Sequence, residues 1–371
     1  MPSSAQEELV KLLAQRSLGA PYVFEPSEYR KGKQGVREPA DLAWLCRDTL
    51  ILFAMQAGKR RQAAQASHNF RQMLGFMRLW SAGYCRLQGV NEFTRFDMLE
   101  CDSPPVVLIS VTECADARLQ VHPEISQGHG NSARRRIILG ASVPTSVLLE
   151  LVRRGGSALD LADLLLQIAQ EPEGVPEDYG VELVAEAHIA AIQRARSAPN
   201  LDSGRDRDLD AATVTDFAVR LREMPYGAIH NASALNMNGS VAVLNDLDWE
   251  ATTYLMLRAA DMIKLVRDVP VGEMGPSMAA ALVEAEPYRF LVGATDINNM
   301  VAFGQEMTEA IKNLTARYPD NPPISIQYHI AGRPSIEFMS GMLVFPSQVG
   351  SSIMSRTFHS CGESAVLSRR A

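Results

Sequence analysis

Carboxylates near residue 40 stand where side chains from neighbouring strands could converge. Glu38 and Asp41 lead into the run Leu42-Ala43-Trp44-Leu45, and Asp48 precedes a second run, Leu50-Ile51-Leu52-Phe53. Side chains alternate along a strand, so groups on two adjacent strands can meet on one face. Carboxylates brought together in this way are hard oxygen ligands for a divalent cation such as Mg2+. The second run continues as Ala54-Met55-Gln56. An alanine side chain cannot bind a metal. A glutamine supplies a carbonyl oxygen but neither acts as a general base nor carries positive charge.

These residues need elements to hold them. Ser4 to roughly Gln15 reads as a helix, with Ser4 and Glu7 as a capping box and Leu9, Leu12 and Leu13 as its apolar face. Tyr22-Val23-Phe24 reads as a short strand, and Glu25 to Val36, with Pro26, Gly32 and Gly35, as a loop. The continuous apolarity of Leu50 to Phe53 predicts a strand covered on both faces. Ala57 to Arg61 is a basic turn. Gln62 to Trp80 is a strong helix, since Phe70, Met73, Leu74, Met77 and Trp80 recur at helical spacing. Val106 to Val111 and Arg134 to Gly140 follow as strands, and Pro144 to Arg153 and Asp160 to Gln170 as helices. That order predicts an α/β fold.

The chain divides by the same reading into a domain over 1–170, a linker-like segment over 171–210, and a second α/β or α+β domain over 211–371. The linker reading rests on Pro172 and Pro176 among acids and on the charge-dense stretch Ser197 to Asp210. Beyond it, Val181 to Arg194 (within the linker), Trp249 to Val266 and Ala302 to Arg317 read as helices. Ala242-Val243-Leu244, Tyr288 to Val292 and Ile324 to Ile330 read as strands. Gly293-Ala294-Thr295-Asp296 reads as a strand-to-helix entry capped by Thr295 or Asp296.

The string Gly32-Lys33, Glu38-Pro39-Ala40-Asp41-Leu42 and Asp48-Thr49-Leu50-Ile51-Leu52-Phe53 resembles bacterial proteins that carry a nuclease-related domain of the PD-(D/E)XK type. The resemblance spans roughly residues 4–170, and Val143 to Ile168 is loosely similar to the stretch that follows the core in some members. It implies a restriction-endonuclease-like mixed sheet flanked by helices. It also implies phosphodiester hydrolysis, in which carboxylates hold one or two Mg2+ ions and a lysine orients the attacking water. Residue by residue, the resemblance gives Asp41 the role of the strand acid and Glu8 or Glu7 that of the helix acid, so that Asp41 and Glu8 would be metal ligands. Ala54 stands at the second acid, Gln56 at the lysine, and Gln72, or Gln62 and Arg71, at a polar helix position. The implied catalytic set is Asp41, Gln56 and Glu8, with two diagnostic residues replaced. Glu38, Asp48 or Lys59 would have to stand in for them. For Asp41 itself there is a plainer reading, a strand-entry acid bonded to nearby backbone N–H groups. The expectation is a catalytically degenerate nuclease-like protein acting in nucleic-acid recognition or complex assembly, in genome defence or DNA processing. The alternatives are a divergent Mg2+-dependent nuclease that uses Asp41 with a migrated carboxylate, and a protein-binding structural subunit.

Two basic clusters, Lys59-Arg60-Arg61 and Arg134-Arg135-Arg136, would line a phosphate groove in such a fold; taken alone, each is a solvated charge cluster. The seven histidines form no H-x-x-x-H or H-E-x-x-H pair, which leaves a zinc site unsupported. His122 and His129 flank Glu124 in what reads as a polar loop, and His68 reads as a surface residue. No P-loop and no G-x-S-x-G elbow occurs. The five cysteines include no C-x-x-C pair, so they read as reduced thiols, with Cys46 as a small buried hydrophobe. Met73, Met77, Met256 and Met262 read as core filler.

A net charge of −7 argues against a protein that coats nucleic acid over its whole surface, although it leaves a local basic groove open. No apolar run reaches the length of a membrane span, and the first residues lack the pattern of a signal peptide. The sequence is therefore read as cytoplasmic, with nucleic acid, a protein partner or a second copy as possible partners, no membrane, and no cofactor beyond Mg2+ if the site is active.

Overall fold

The computed structural model describes residues 23–30, 35–45, 49–55, 61–90, 95–98, 105–114, 116–126, 137–170, 180–197, 247–267, 278–285, 288–296, 299–319, 324–330, 339–344 and 354–358. These fall into two compact units, one within 1–188 and 233–248, the other within 189–232 and 249–371. Both are mixed α/β.

The first unit is organised by the run that follows Asp41. Strand β1 (Val23–Pro26) lies antiparallel to β4 (Leu42–Leu45), and β4 lies antiparallel to β5 (Leu50–Met55). Helix α1 (Gln62–Trp80) follows, and after two strands at the other side of the sheet the chain returns as β8 (Val106–Thr112), which runs parallel to β5. Strand β10 (Ile137–Pro144) adds parallel to β8, and β9 (Gln120–Val121) covers its far edge antiparallel. On the other side, β6 (Leu87–Val90) pairs with β1 and β7 (Arg95–Met98) with β6. The result is an eight-stranded mixed sheet, β7-β6-β1-β4-β5-β8-β10-β9. Helices α2 (Pro123–Ser126), α3 (Thr145–Arg153), α4 (Ala158–Gln170) and α5 (Gly180–Arg196) follow in the chain.

The continuous apolar runs are buried on both faces, as such runs require. Leu50 to Ala54 and all of β8 are buried. One face packs on α1: Ala43, Leu50, Leu52, Val106 and Leu108 share a core with Phe70, Met73, Phe76, Met77 and Trp80. Phe76 and Trp80 stack at 5.6 Å, and Tyr29 tilts onto Phe76 at 5.3 Å. Each such side chain withdrawn from water contributes about 1.5–3 kcal/mol. All four methionines read as core filler are buried.

In one place the loop reading fails. Residues 25–36 hold the end of β1 and one side of a two-stranded ribbon, β2 (Tyr29–Arg30) with β3 (Val36–Arg37). Tyr29 is buried against the core, and that tertiary contact outweighs the local turn signal of Pro26 and the glycines.

In the second unit, β11 (Met278–Ala285) and β12 (Tyr288–Asp296) pair antiparallel, and helix α7 (Met300–Arg317) crosses to β13 (Ile324–Ile330), which runs parallel to β12. Strands β14 (Met339–Val344) and β15 (Met354–Phe358) complete a five-stranded sheet in chain order. Helix α6 (Trp249–Arg267) packs on β11 and β12. Leu291, Phe303, Met307 and Ile311 form a core between β12 and α7. Gly293 makes that contact possible, because a Cβ there would lie 2.5 Å from the Phe303 ring. Thr295 and Asp296 are strand residues, contrary to the capping role expected for them; Asn299 precedes α7 and makes no side-chain cap bond. The helix expected at Ser4–Gln15, the strand at Ala242–Leu244 and Cys46 lie outside the described residues.

Candidate functional site

Asp41 sits one step beyond the Leu42–Phe53 pair, where β4 begins. Its backbone N–H donates to the Phe53 carbonyl at 2.9 Å, so the ladder extends through it. Its carboxylate Oδ2 then accepts the Met55 N–H at 2.5 Å. The side chain thus takes up the amide that a longer β4 would have paired, and this agrees with the plainer reading of the residue. Asp41 thus bonds the residues on either side of Ala54, Phe53 through its N–H and Met55 through its carboxylate.

Ala54 is the first member of a row that continues across the sheet. It pairs in register with Ser110 of β8, and Ser110 pairs with Ser142 of β10. Alternation puts this row on the α1 face, the same face as Leu52 and Leu108. Ser110, Thr112 and Ser142 are fully buried. The end of the sheet that carries the C-termini of its parallel strands is therefore polar inside, below an apolar remainder.

Helix α1 matches that change. Its second half turns Phe70, Met73, Phe76, Met77 and Trp80 to the sheet, whereas its first half buries Gln62, Gln65 and Asn69. The Asn69 amide donates to the Ala54 carbonyl at 2.9 Å and to Ser110 Oγ at 3.0 Å. It ties helix, β5 and β8 together at the polar row. Thr112 Oγ1 is buried and has no hydrogen-bond partner among the described residues.

Residues 116–126 fold over this corner from the far edge. Gln62 grips them at Arg118, donating from Nε2 to the Arg118 carbonyl at 2.8 Å and accepting the Arg118 N–H on Oε1 at 2.5 Å. Asp116 Oδ1 accepts the Gln62 N–H at 3.3 Å and so caps α1, whose own N-cap residue Arg61 supplies no side-chain bond. The Cys114 thiol bonds Asp116 and, with the Gln62 N–H and the Arg61 charge, holds that carboxyl below its ordinary value. Burial and the same partnership push the Cys114 thiol up to about 11, away from a reactive thiolate.

His122 is the inner anchor of this segment. Its N–H donates to the Gly140 carbonyl at 2.8 Å, and Nε2 lies 2.8 Å from Ser142 Oγ. Nδ1 faces Glu124 at 3.3 Å, and the ring meets Phe70 edge-on at 5.0 Å. Its side chain is only 14% exposed. Burial holds its pKa below 6.5, with Glu124 pulling the other way. Ile125 fills the hollow over Gly140, where a Cβ would lie 2.6 Å from it. The loop-polarity reading of His122 is corrected accordingly: it is a packed anchor.

The remaining expected residues divide as follows. Glu8, Gln56, Lys59, Arg60, Arg134, Arg135 and Arg136 lie outside the described residues, as do Asp48 and His129. Arg61 is exposed and lies close enough to Asp116 for the charges to interact. Among the polar helix candidates, Gln72 reaches only the Glu38 carbonyl at 3.4 Å, Arg71 bonds Ser67 on the exposed face, and Gln62 is committed to Arg118. His68 is exposed, as expected.

The reading of the sequence missed Asn69, Ser110, Thr112 and Ser142. A signal existed: the spacing of Phe70, Met73 and Met77, carried backwards, falls on Gln62, Ala66 and Asn69, so the buried stripe turns polar where β8 also turns polar, at Ser110 and Thr112.

No protein-family model, curated protein or solved structure matches this chain. Among the described residues no group of three or more His, Cys, Asp or Glu is arranged to hold a metal ion. No helix among them is long and apolar enough to cross a membrane. The residues described at the polar row do not fit a Mg2+ centre, since Asp41 offers one carboxylate and Ala54, beside it, offers none.

Proposed function

We propose that this chain is a catalytically degenerate nuclease-like protein that acts in nucleic-acid recognition or complex assembly. The observation that carries the reading is the position of Asp41 beside Ala54, bonded to the residues on either side of it, Phe53 and Met55. By the PD-(D/E)XK resemblance Asp41 and Ala54 are the strand acid and the second acid. One of the pair has no metal-binding atom, and the other accepts the Met55 N–H. Among the described residues, Asn69 and Ser110 supply hydrogen bonds beside Ala54 but carry no charge with which to stabilise a phosphoryl transition state. An arrangement of this kind supports binding more readily than hydrolysis.

Recognition of nucleic acid would rest on the basic clusters Lys59-Arg60-Arg61 and Arg134-Arg135-Arg136, with an affinity that falls steeply with salt. The test combines a salt titration of binding to single- and double-stranded DNA and RNA with a cleavage assay in Mg2+ or Mn2+. Salt-dependent binding without cleavage, weakened by Arg134→Glu with Arg135→Glu, supports recognition. Cleavage that Asp41→Ala abolishes overturns the degenerate reading in favour of a divergent nuclease. The absence of both binding and cleavage leaves assembly with protein as the surviving half of the proposal.

A further inference from the structure

We propose that residues 116–126 form an acid-opened strap over the polar end of the eight-stranded sheet, with His122 as its latch. The inference goes beyond the functional reading above, because it concerns access to the polar row whatever the row binds.

The geometry is that of a clasp rather than a packed layer. Strand β9 contributes only two residues to the sheet, paired at Ala141 and Ser142. Helix α2 is a single turn. The segment is held by discrete contacts: Gln62 on Arg118, the His122 N–H on Gly140, the His122 ring on Ser142 and Phe70, and Ile125 over Gly140. Its apolar contacts are Ile125, at the edge of the α1-face core, and Leu119 beside Gly180; with only a two-residue ladder beside them, the segment opens locally at lower cost than the core does. The closed state also carries a liability at its root, where Thr112 Oγ1 is buried without a partner among the described residues. Opening would let water reach that hydroxyl.

His122 makes the opening sensitive to acid. Strand β10 faces it with Ser142 and the Gly140 carbonyl and contains no titratable side chain. Helix α1 faces it with Phe70, while the titratable His68 and Arg71 of that helix lie on its exposed side. Of the two carboxylates on the strap, Asp116 is bonded at the first turn of α1, and Glu124, which is 69% exposed, is the one that faces the ring. Burial therefore disfavours the imidazolium more than Glu124 favours it, and the closed strap prefers a neutral ring. A histidine held below 6.5 in the closed state lends stability that is present above that pH and is lost as the pH falls through the closed-state value.

The test is hydrogen exchange by mass spectrometry on the full chain at about pH 7.5 and about pH 5, which span the histidine range. Rates are corrected for the intrinsic pH dependence of exchange. The amides of β9 and His122 should lose protection several-fold at the lower pH, while those of Met73 to Trp80 in α1 keep theirs. His122→Gln, which stays neutral, should abolish the acid response. Glu124→Gln removes the one carboxylate that favours the imidazolium and should enlarge the response. Equal strap protection at both pH values would overturn the proposal, as would an acid response that survives His122→Gln. If His122→Gln fails to fold, the exposed Glu124→Gln substitution decides: an unchanged or smaller response overturns the latch. None of these readouts depends on nucleic acid, so failure here is distinct from failure of the recognition reading.

Discussion

The two sheets contain the same local arrangement with opposite interiors. In the first unit β4 and β5 pair antiparallel, α1 crosses, and β8 returns parallel to β5. In the second, β11 and β12 pair antiparallel, α7 crosses, and β13 returns parallel to β12. Helix α7 meets its sheet through Phe303, Met307 and Ile311, with Gly293 cut back to admit the ring. Helix α1 begins with buried Gln62, Gln65 and Asn69 and turns apolar only from Phe70. A strand–helix–strand unit thus forms with a mainly apolar contact, although Thr295 is buried at the end of β12 on the same face as Leu291. The buried amides of α1 are not a requirement of the architecture, and they give up apolar burial where they stand. Departures of this kind from local consistency are expected at functional sites.

Five substitutions can break or sharpen that contrast. The largest effect is expected from Phe303→Ala, which empties the apolar contact of α7. It should destabilise the second unit by about 3–5 kcal/mol, read as early exchange of β12 and β13 amides in a denaturant series. Asn69→Leu tests the polar half of α1. It leaves the Ala54 carbonyl and Ser110 Oγ without their donor and should cost about 1–3 kcal/mol. Pairing it with Ser110→Ala should recover part of the loss, measured as the coupling in a double-mutant cycle by urea unfolding. A neutral Asn69→Leu would mean that the amide is incidental and would remove the contrast between the crossovers.

Asp41→Asn keeps an acceptor oxygen for the Met55 N–H, so a shift of only about 0.5–1.5 kcal/mol is expected, with nucleic-acid binding unchanged. A much larger loss of function would show that the charge itself is used. The smallest effect belongs to Asp116→Ala, a slight fall in melting temperature that localises to the first turn of α1, where the cap on Gln62 is lost.

Much of the framework was legible because it follows from periodicity. Phe70, Met73, Met77 and Trp80 give α1 its boundaries, and the unbroken apolarity of Leu50 to Phe53 and of Val106 to Val111 gives two central strands buried on both faces. The short edges were not legible. Gln120-Val121 and Tyr29-Arg30 are two-residue strands whose pairing comes from partners elsewhere in the chain, and no local pattern of that length separates a strand from a loop. Asp41 was found by residue type and position. Asn69 and Ser142 were passed over because an asparagine in a helix and a serine in a strand carry no signal until their burial is known.

The sequence by itself determined the α/β class, the central strands and helices, the acid at the start of β4 and the lack of a metal-binding atom at Ala54, because these depend on residue type and short-range spacing. Only the tertiary structure decided that Asp41 bonds to either side of Ala54, that a row of neutral polar groups continues from Ala54 through Ser110 and Ser142, and that His122 closes over its end. The physical reason is register. A one-residue slip between strands would turn each of these side chains to the opposite face, and register is fixed by pairing between segments far apart in the chain.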